Sequence, residues 1–385
     1  MAHRLSFPII VSALALFASC SGDDTTIGSP QASPDGSTDN TLVSDLDVHA
    51  GEPFPADRCE ANRDAGTITY LSGFDFTASA SIIDVQVAEA MGYYDELCLD
   101  VELRASFSVD NYPLVAANDA QFASGGSFSE IVDFAGANDA GFVALSVEGR
   151  TGIDALITKD GEVPTLDDIR GTKIGVKGAI TPSVRAMLAQ AGLVLDVDYE
   201  TVLLDGFDPM VHVAIPDIVG FPGYKSNEPG QLAANDVPFK LYDPSDYDIP
   251  GSFGVLYTNL TFLQEHPTAA QDFMRATMRG LADAIADPAA AVQIAVDNIN
   301  ANGNAVFVTP AGEAARWGVE SQLVAAGVTT DAPLGLPLID QLTNEVTVYA
   351  EIGLFGGEVP LIESLVDVSV LAGVYDDDGT LIWPG

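Results

Sequence analysis

The sequence predicts an α/β fold in two successive units, each a mostly parallel sheet flanked by helices. Three observations point to it. From residue 66 onward, short apolar runs of strand length alternate with stretches of helical periodicity, the order that folds into parallel sheets. A second strand–helix series begins near residue 158, after the first has completed a βαβαβ pattern. With 385 residues, 47% of them hydrophobic and 18% charged, the chain can bury two cores of ordinary size.

In the first unit, Thr67–Leu71 reads as a strand. Ser81 to Gly92 carries Ile82, Ile83, Val85, Val87, Ala88 and Met91 on a helical face that ends at a glycine. Leu99–Leu103 alternates as a strand. Asn111–Ala120 reads as a helix, Ala120–Ala123 as a short strand, Ser129–Asn138 as a helix and Gly141–Val147 as a strand. In the second unit, Thr165–Gly171 is a short capped helix with a glycine stop, and Lys173–Lys177 a strand. Thr181 followed by Pro182 suits an N-cap and first helical position, opening a helix that runs to Ala191. Glu200–Leu204 and Ile218–Phe221 read as strands, with Val211–Ile215 a short strand or a turn of helix. Gly254–Thr258 is a strand expected to cross back to the first unit. Helices follow at 259–266, 269–286, 289–298, 311–326 and 338–352.

The N-terminus is of another kind. Arg4 precedes an apolar stretch, Leu5 to Phe17, that is too short to span a bilayer and is followed by small residues, so residues 1–20 read as a secretion signal. Its end, Leu16-Phe17-Ala18-Ser19-Cys20, is similar to a bacterial lipobox, in which the cysteine becomes the lipid-modified first residue. Phe17 sits where a small aliphatic residue is usual, and a plain cleaved signal is the alternative. Residues 21–62 are rich in Ser, Gly, Asp, Thr and Pro, a composition expected to give a disordered tether. Cys59 and Cys98 precede the first and second strands. Neighbouring parallel strands start at one edge of a sheet, so a Cys59–Cys98 disulfide is expected, the alternative being two free thiols.

Fifty-six acidic residues against 15 basic ones give a net charge of −41, which excludes nucleic-acid binding through a basic patch and suits a soluble, solvated surface. No calcium-loop pattern is present, and Asp376–Gly379 reads as a solvated turn. Four histidines and no C-x-x-C argue against zinc. Nucleophile-elbow, H-E-x-x-H and P-loop motifs are absent, His3 and His49 lie in the N-terminal segments, His266 at a helix end, and His212 reads as structural. No enzymatic activity, cofactor or metal is expected.

Several segments resemble one family. The helix ending Ala88-Glu-Ala-Met-Gly92-Tyr93-Tyr94 continues through an acidic turn to Leu99-Asp-Val-Glu-Leu103, with Cys98 in place of the usual glycine. Thr165-Leu-Asp-Asp-Ile-Arg-Gly171 precedes Thr172-Lys-Ile-Gly-Val176, and Tyr224-Lys-Ser-Asn227-Glu228-Pro229 is similar to a Tyr-x-x-Asn-Glu-Pro segment of the pyrimidine and riboflavin branch. Together they resemble the ABC-transporter solute-binding proteins for thiamine-pyrimidine precursors, aliphatic sulfonates, taurine and nitrate, over about residues 66–300. The resemblance implies a periplasmic-binding-protein-like fold joined by a hinge, with lobe 1 at 66–157 plus 255–385 and lobe 2 at 158–254. It implies a lipid-anchored extracytoplasmic protein that closes over a small molecule and docks on an ABC permease with its ATPase. Fungal pyrimidine synthases share the family, but their cysteine-rich run is missing here, so that chemistry is not implied.

In such sheets ligands bind beyond the carboxyl ends of the strands. The candidate ligand-binding residues are therefore Phe74 and Phe76, as ring faces, and Ser124, Gly125 and Ser127, as donors in a glycine-rich turn. Gly178 and Thr181 stand at a helix start, Tyr224, Asn227 and Glu228 in a loop, and Phe253 at the return crossing. The aromatic pair and Glu228 favour a planar heterocycle such as a thiamine-pyrimidine precursor. Riboflavin, sulfonate, taurine and nitrate are the alternatives, and a ligand-sensing lipoprotein without a permease is the alternative of another class. The cations expected near the cleft are Lys177, Arg185 and Lys225.

Overall fold

The computed structural model describes residues 46–206, 208–302 and 308–385. The signal segment with Cys20, and the expected tether up to residue 45, lie outside the described residues. In chain order the strands are β1 (Thr67–Leu71), β2 (Asp100–Arg104), β3 (Phe122–Gly125), β4 (Phe142–Gly149), β5 (Asp154–Lys159), β6 (Lys173–Val176), β7 (Glu200–Leu203), β8 (Gly220–Tyr224), β9 (Phe239–Tyr242) and β10 (Phe253–Asn259).

They form two five-stranded sheets, ordered β2-β1-β3-β10-β4 and β7-β6-β8-β5-β9. Within each, the strands of the βαβ series pair in parallel, and the strand arriving from the other sheet pairs antiparallel to both its neighbours. Burial follows position. Central β1 is buried at four of its five residues, whereas edge strand β2 alternates exposed and half-buried ones. This is the two-lobed periplasmic-binding-protein fold expected from the sequence.

The lobe seams lie slightly off the expected boundaries. β5, Asp154–Lys159, begins before residue 158 and belongs wholly to the second sheet, and β10 enters the first sheet at Phe253. The crossings are the short segments 150–153 and 243–252. Both are legible afterwards in their glycines: a Cβ on Gly251 would stand 2.7 Å from the Cα and amide of Gly152. A Cβ on Gly149 would stand 1.9 Å from the Phe253 ring.

The helices are α1 (Ala56–Asp64), α2 (Ile83–Ala90), α3 (Tyr93–Glu96), α4 (Ser108–Ala116), α5 (Phe128–Asn138), α6 (Pro182–Gln190), α7 (Pro209–Val213), α8 (Glu228–Ala234), α9 (Leu260–Glu265), α10 (Pro267–Ala286), α11 (Pro288–Asn302), α12 (Pro310–Ala326), α13 (Ile339–Glu351) and α14 (Val368–Ala372). Proline opens α6, α7, α10 and α12, where its missing N–H costs nothing and its fixed φ is already helical. Helix α4 begins three residues before the expected Asn111, and Val211–Ile215 resolves into helix α7. Among the described residues, no helix is long and apolar enough to cross a membrane.

Residues 46–62 depart from the expectation of a tether. Helix α1 lies on lobe 1, held through polar groups. Arg58 Nε donates to Asp272 Oδ2 at 2.6 Å and its other nitrogens to Gln271 and the Leu46 carbonyl. Asn62 Nδ2 donates to Asp272 at 2.8 Å, and Arg275 reaches the second Asp272 oxygen at 3.0 Å. Cys59 and Cys98 are disulfide-bonded, joining α1 to the turn before β2. Cys98 has φ +60°, a conformation that explains why the resembled pattern has glycine there. A helix polar on all sides carries no apolar stripe, so hydropathy alone could not reveal it.

Removing one partner of a buried ion pair costs about 3–5 kcal/mol. Arg58→Ala should therefore lower stability by about 3 kcal/mol in urea unfolding, because its loss leaves Asp272 underpaired in the core. Asp57→Ala, on the exposed side of α1, should change it by less than about 0.5 kcal/mol.

Candidate functional site

The two lobes belong to one compact unit, and between them runs a cleft of about 250 Å³. Lobe 1 contributes Gly73, Phe74, Thr77 and Ser79 from the loop after β1, and Arg316 from α12. Lobe 2 contributes Asp154 from β5, Lys177, Ala179 and Thr181 before α6, and Pro222, Gly223, Tyr224, Asn227 and Glu228 around the end of β8. The cleft continues into a recess of about 60 Å³ lined by Ser124, Gly125, Gly126, Phe253 and Glu320, with Phe74, Ser79 and Tyr224 shared. The site thus stands beyond the carboxyl ends of β1, β3, β6 and β8.

Sequence reasoning and structure agree on much of this lining: Phe74, Thr181, Tyr224, Asn227 and Glu228 line the cleft, and Ser124, Gly125 and Phe253 the recess. Three residues fall elsewhere. Phe76 is buried and lines neither space. Asp75 between the two rings has φ +49°, which turns the chain and breaks the alternation that would have placed both rings on one side. Ser127 is consumed as the N-cap of α5, in a capping box with Glu130. Gly178, with φ +91°, shapes the loop whose neighbours Lys177 and Ala179 reach the cleft. Thr181 does not cap α6 with its side chain; its Oγ1 is buried without a partner among the described residues.

Glu228 has a structural duty beside its place in the lining. Its Oε2 accepts the Tyr224 amide at 2.8 Å and its Oε1 the Lys177 ammonium at 2.9 Å. Of the other expected cations, Lys225 pairs with Asp243 at 2.8 Å, and Arg185 donates to the Ile352 carbonyl, away from the cleft.

Helix α12 supplies the part that sequence reasoning missed. Glu313, Arg316, Trp317, Glu320, Ser321 and Val324 are its buried residues, one stripe at helical spacing that mixes charge with core. Arg316 donates to Asn227 Oδ1 at 3.0 Å, and Glu320 Oε1 accepts Ser226 Oγ at 2.7 Å, so one face of a lobe 1 helix grips the loop before α8 in lobe 2. Glu320 also accepts Ser79 Oγ and the Ala80 amide, at 2.8 and 2.7 Å, fixing the lobe 1 loop beside it.

The electrostatics are acidic throughout. Burial, then the Glu130 charge, push Asp154 up to about 7, against the hydrogen bond from Ser183. Burial also raises Glu320 and Glu130. Tyr224 lines both the cleft and the recess and is 37% exposed. Burial of its hydroxyl, with Glu130, Asp154, Glu228 and Glu320 around it, holds its pKa well above the usual tyrosine value. Behind the recess, Asp84 and Glu148 form a buried carboxyl pair. Glu148 Oε2 accepts the Ser81 amide at 2.9 Å, while Glu148 Oε1 and both Asp84 oxygens meet no protein donor among the described residues. Burial raises both, Asp84 to about 6, and the Asp84 charge raises Glu148 further, which favours holding a proton between them.

Comparison with known proteins places this geometry. The sequence profile of the family described as NMT1/THI5 like matches residues 79–291. Riboflavin-binding protein RibY of Chloroflexus aurantiacus is 30% identical over 137 residues, which make up 35% of this chain and 38% of RibY. The chain therefore matches well under half of that relative's length. The ligand-binding component of an ABC-type import system from Staphylococcus aureus superposes with a TM-score of 0.58 at 12% identity, over 80% of this chain and 98% of that one. The desulfurization enzyme DSZB superposes with a TM-score of 0.55 at 14% identity, over 80% and 98%.

Two outcomes follow from the geometry. Both carboxyls of the Asp84–Glu148 pair have pKa values above those of the unfolded chain, so the folded state binds the extra protons. Stability then falls as pH rises from about 4 through the Asp84 value of about 6. Glu148→Gln keeps an acceptor for Ser81 and a donor for Asp84 while removing a charge, so its melting temperature should exceed that of the native chain at pH 8 by several degrees, and by less at pH 4.5. The second outcome concerns closure. Loss of one charge-assisted hydrogen bond, about 1.5–3 kcal/mol, shifts a two-state ratio at least about tenfold. Arg316→Ala should therefore enlarge the ligand-free radius of gyration in small-angle scattering, and an unchanged radius would show that α12 does not hold the lobes together.

Proposed function

The chain belongs to the NMT1/THI5-like family, and from that premise we propose that it is the extracytoplasmic solute-binding component of an ABC-type importer, capturing a planar nitrogen heterocycle. The interlobe cleft carries this reading: loops from both sheets converge on it, and polar contacts from α12 span it. A solute entering between the lobes contacts both, so its binding energy favours the closed form, whose joined surface a permease can recognise. The Staphylococcus aureus neighbour, named as the ligand-binding component of such a system, supports the transport role by analogy of fold.

The ligand class rests on the lining. Phe74 and Tyr224 offer ring faces for a flat solute, and Lys177, Asn227 and Thr181 offer hydrogen-bonding groups at its edge. RibY, named for riboflavin, is the relative most consistent with a heterocycle. A sulfonate, taurine or nitrate would bring an anion beside Asp154, Glu228 and Glu320. The lipid anchor at Cys20 belongs to the same reading, tethering the protein at the membrane where a permease works.

DSZB shows that catalysis occurs on this fold. Here, among the described residues, neither cysteine nor histidine lines the cleft. Cys59 and Cys98 are bonded to each other, and His212 lies buried with Nε2 beside the Asp205 carbonyl at 3.2 Å. That lining offers neither thiol nor imidazole to covalent catalysis.

The test is a thermal-shift screen of the secreted protein against an aminopyrimidine, riboflavin, alkanesulfonates, taurine and nitrate. A ligand at a hundred times its Kd stabilises the folded state by about 2.7 kcal/mol. A shift with the heterocycles alone is expected, and Phe74→Ala should reduce their affinity about tenfold. A shift with sulfonate or nitrate alone would replace the ligand class and leave the transport role standing. No shift with any of them would favour a sensor or an unrelated solute.

A further inference from the structure

We propose that the cleft selects a solute carrying an organic cation, a protonated amine or amidinium attached to a planar ring, and that the Asp154 carboxylate receives it. The inference rests on the reading of the cleft as a solute site and adds the charge of the solute and the residue that senses it.

The charges around the cleft are unequally matched. Lys177 pairs with Glu228 at 2.9 Å, Arg316 with Glu313 at 3.3 Å and Lys225 with Asp243 at 2.8 Å, so each of these cations is matched by a carboxylate. Asp154 lines the same cleft, and among the described residues it has no ion pair. Its one hydrogen bond comes from Ser183 Oγ at 3.2 Å. The groups facing Asp154 deepen the imbalance. Glu130 on α5 and Glu228 on α8 repel its charge, Lys225 after β8 attracts it, and the phenols of Tyr224 and Tyr349 lie within its field. A half-buried carboxylate without a cation, with like charges beside it, is unfavourable when ionised, and its pKa rises to about 7.

A solute cation completes this arrangement. It supplies the charge that Asp154 lacks, in a place where low dielectric strengthens the pair, while Phe74 and Tyr224 cover the ring that carries it. A neutral isostere leaves Asp154 protonated or unpaired, and an anion adds repulsion. Asp154 opens β5, the strand that crosses into lobe 2, so the cation is sensed at the junction about which the lobes close.

Benzamidine, benzamide and benzoate test this, being planar, nearly identical in shape, and charged +1, 0 and −1 at neutral pH. By calorimetry at pH 8 the unmodified protein should bind benzamidine at least tenfold tighter than benzamide, and benzoate weakest. Asp154→Asn, which keeps the shape and removes the charge, should bring benzamidine and benzamide together. Because benzamidinium keeps its charge from pH 5 to 9, its affinity should decline as pH falls through about 7 in the unmodified protein, where Asp154 takes up its proton. Ser183→Ala retains the carboxylate but removes its hydroxyl donor, so the preference should persist with the midpoint moved to higher pH; this decides the matter even if Asp154→Asn folds poorly. Benzamide binding as tightly as benzamidine, or a preference for benzamidine that survives Asp154→Asn, overturns the inference while leaving the solute-binding reading to the screen above. Silence from all three probes and from every solute of that screen overturns both.

Discussion

Everything in this fold that concerns a ligand depends on how closely the two connecting segments pass one another. Gly152 and Gly251 approach until a Cβ on the second would stand 2.7 Å from the backbone of the first, and the Phe253 ring lies where a Cβ of Gly149 would stand. The crossing draws β5 and β10 to corresponding places, each as the antiparallel strand fourth in its sheet. The carboxyl ends of the other strands consequently face one another across the cleft. A larger residue at Gly251 would force the segments apart, and with them the loops that carry Phe74 and Tyr224.

A second constraint is charge. A chain with 15 basic residues against 56 acidic ones has few cations for its interior, and it places several of them there. Arg58 and Arg275 flank Asp272, Arg316 flanks Glu313, and Lys177 holds Glu228. Buried carboxylates without such a partner are handled by other chemistry: burial and mutual charge raise the pKa of Asp84 and Glu148, favouring their protonated forms, and Glu320 gathers two hydroxyls and an amide. The surface acids are screened by salt and water. The interior ones are not, which is why a few buried carboxyls dominate the electrostatics of a cleft in a protein covered with them.

These same residues mark the limit of what the sequence could reveal. Strand-length apolar runs, proline-opened helices and glycine stops depend on neighbours in the chain, and they place most of the strands and helices to within a few residues, but not β5, β9 or α8. Loops at strand ends follow from topology, so Phe74, Ser124, Thr181 and Tyr224 were legible as lining. Phe76 was misread because one left-handed residue, Asp75, inverts an alternation that pattern reading assumes. Helix α1 was misread as tether because its attachment is made by Arg58, Asn62 and Cys59 rather than by apolar area. Arg316 and Glu320 escape sequence reasoning, since nothing local shows that α12 returns to a loop almost a hundred residues earlier. The one available signal was their spacing within a stripe that also holds Trp317 and Val324.

The two sides of the cleft are held by different forces, and this determines what closure can do. At the back, helix α13 belongs to both cores: Leu342 and Val346 pack with lobe 1, while Tyr349 packs with lobe 2 and donates to the Pro250 carbonyl at 2.7 Å. Opening there would expose apolar surface at about 25 cal/mol for each Å². At the mouth, Arg316 donates to Asn227 and the Ser226 hydroxyl donates to Glu320, polar groups that water can also satisfy once the lobes part. Separation at the mouth therefore costs less than separation at the back. On the proposed reading, a solute that bridges Phe74 in one lobe and Asp154 in the other adds to that bias and moves the balance toward the closed form.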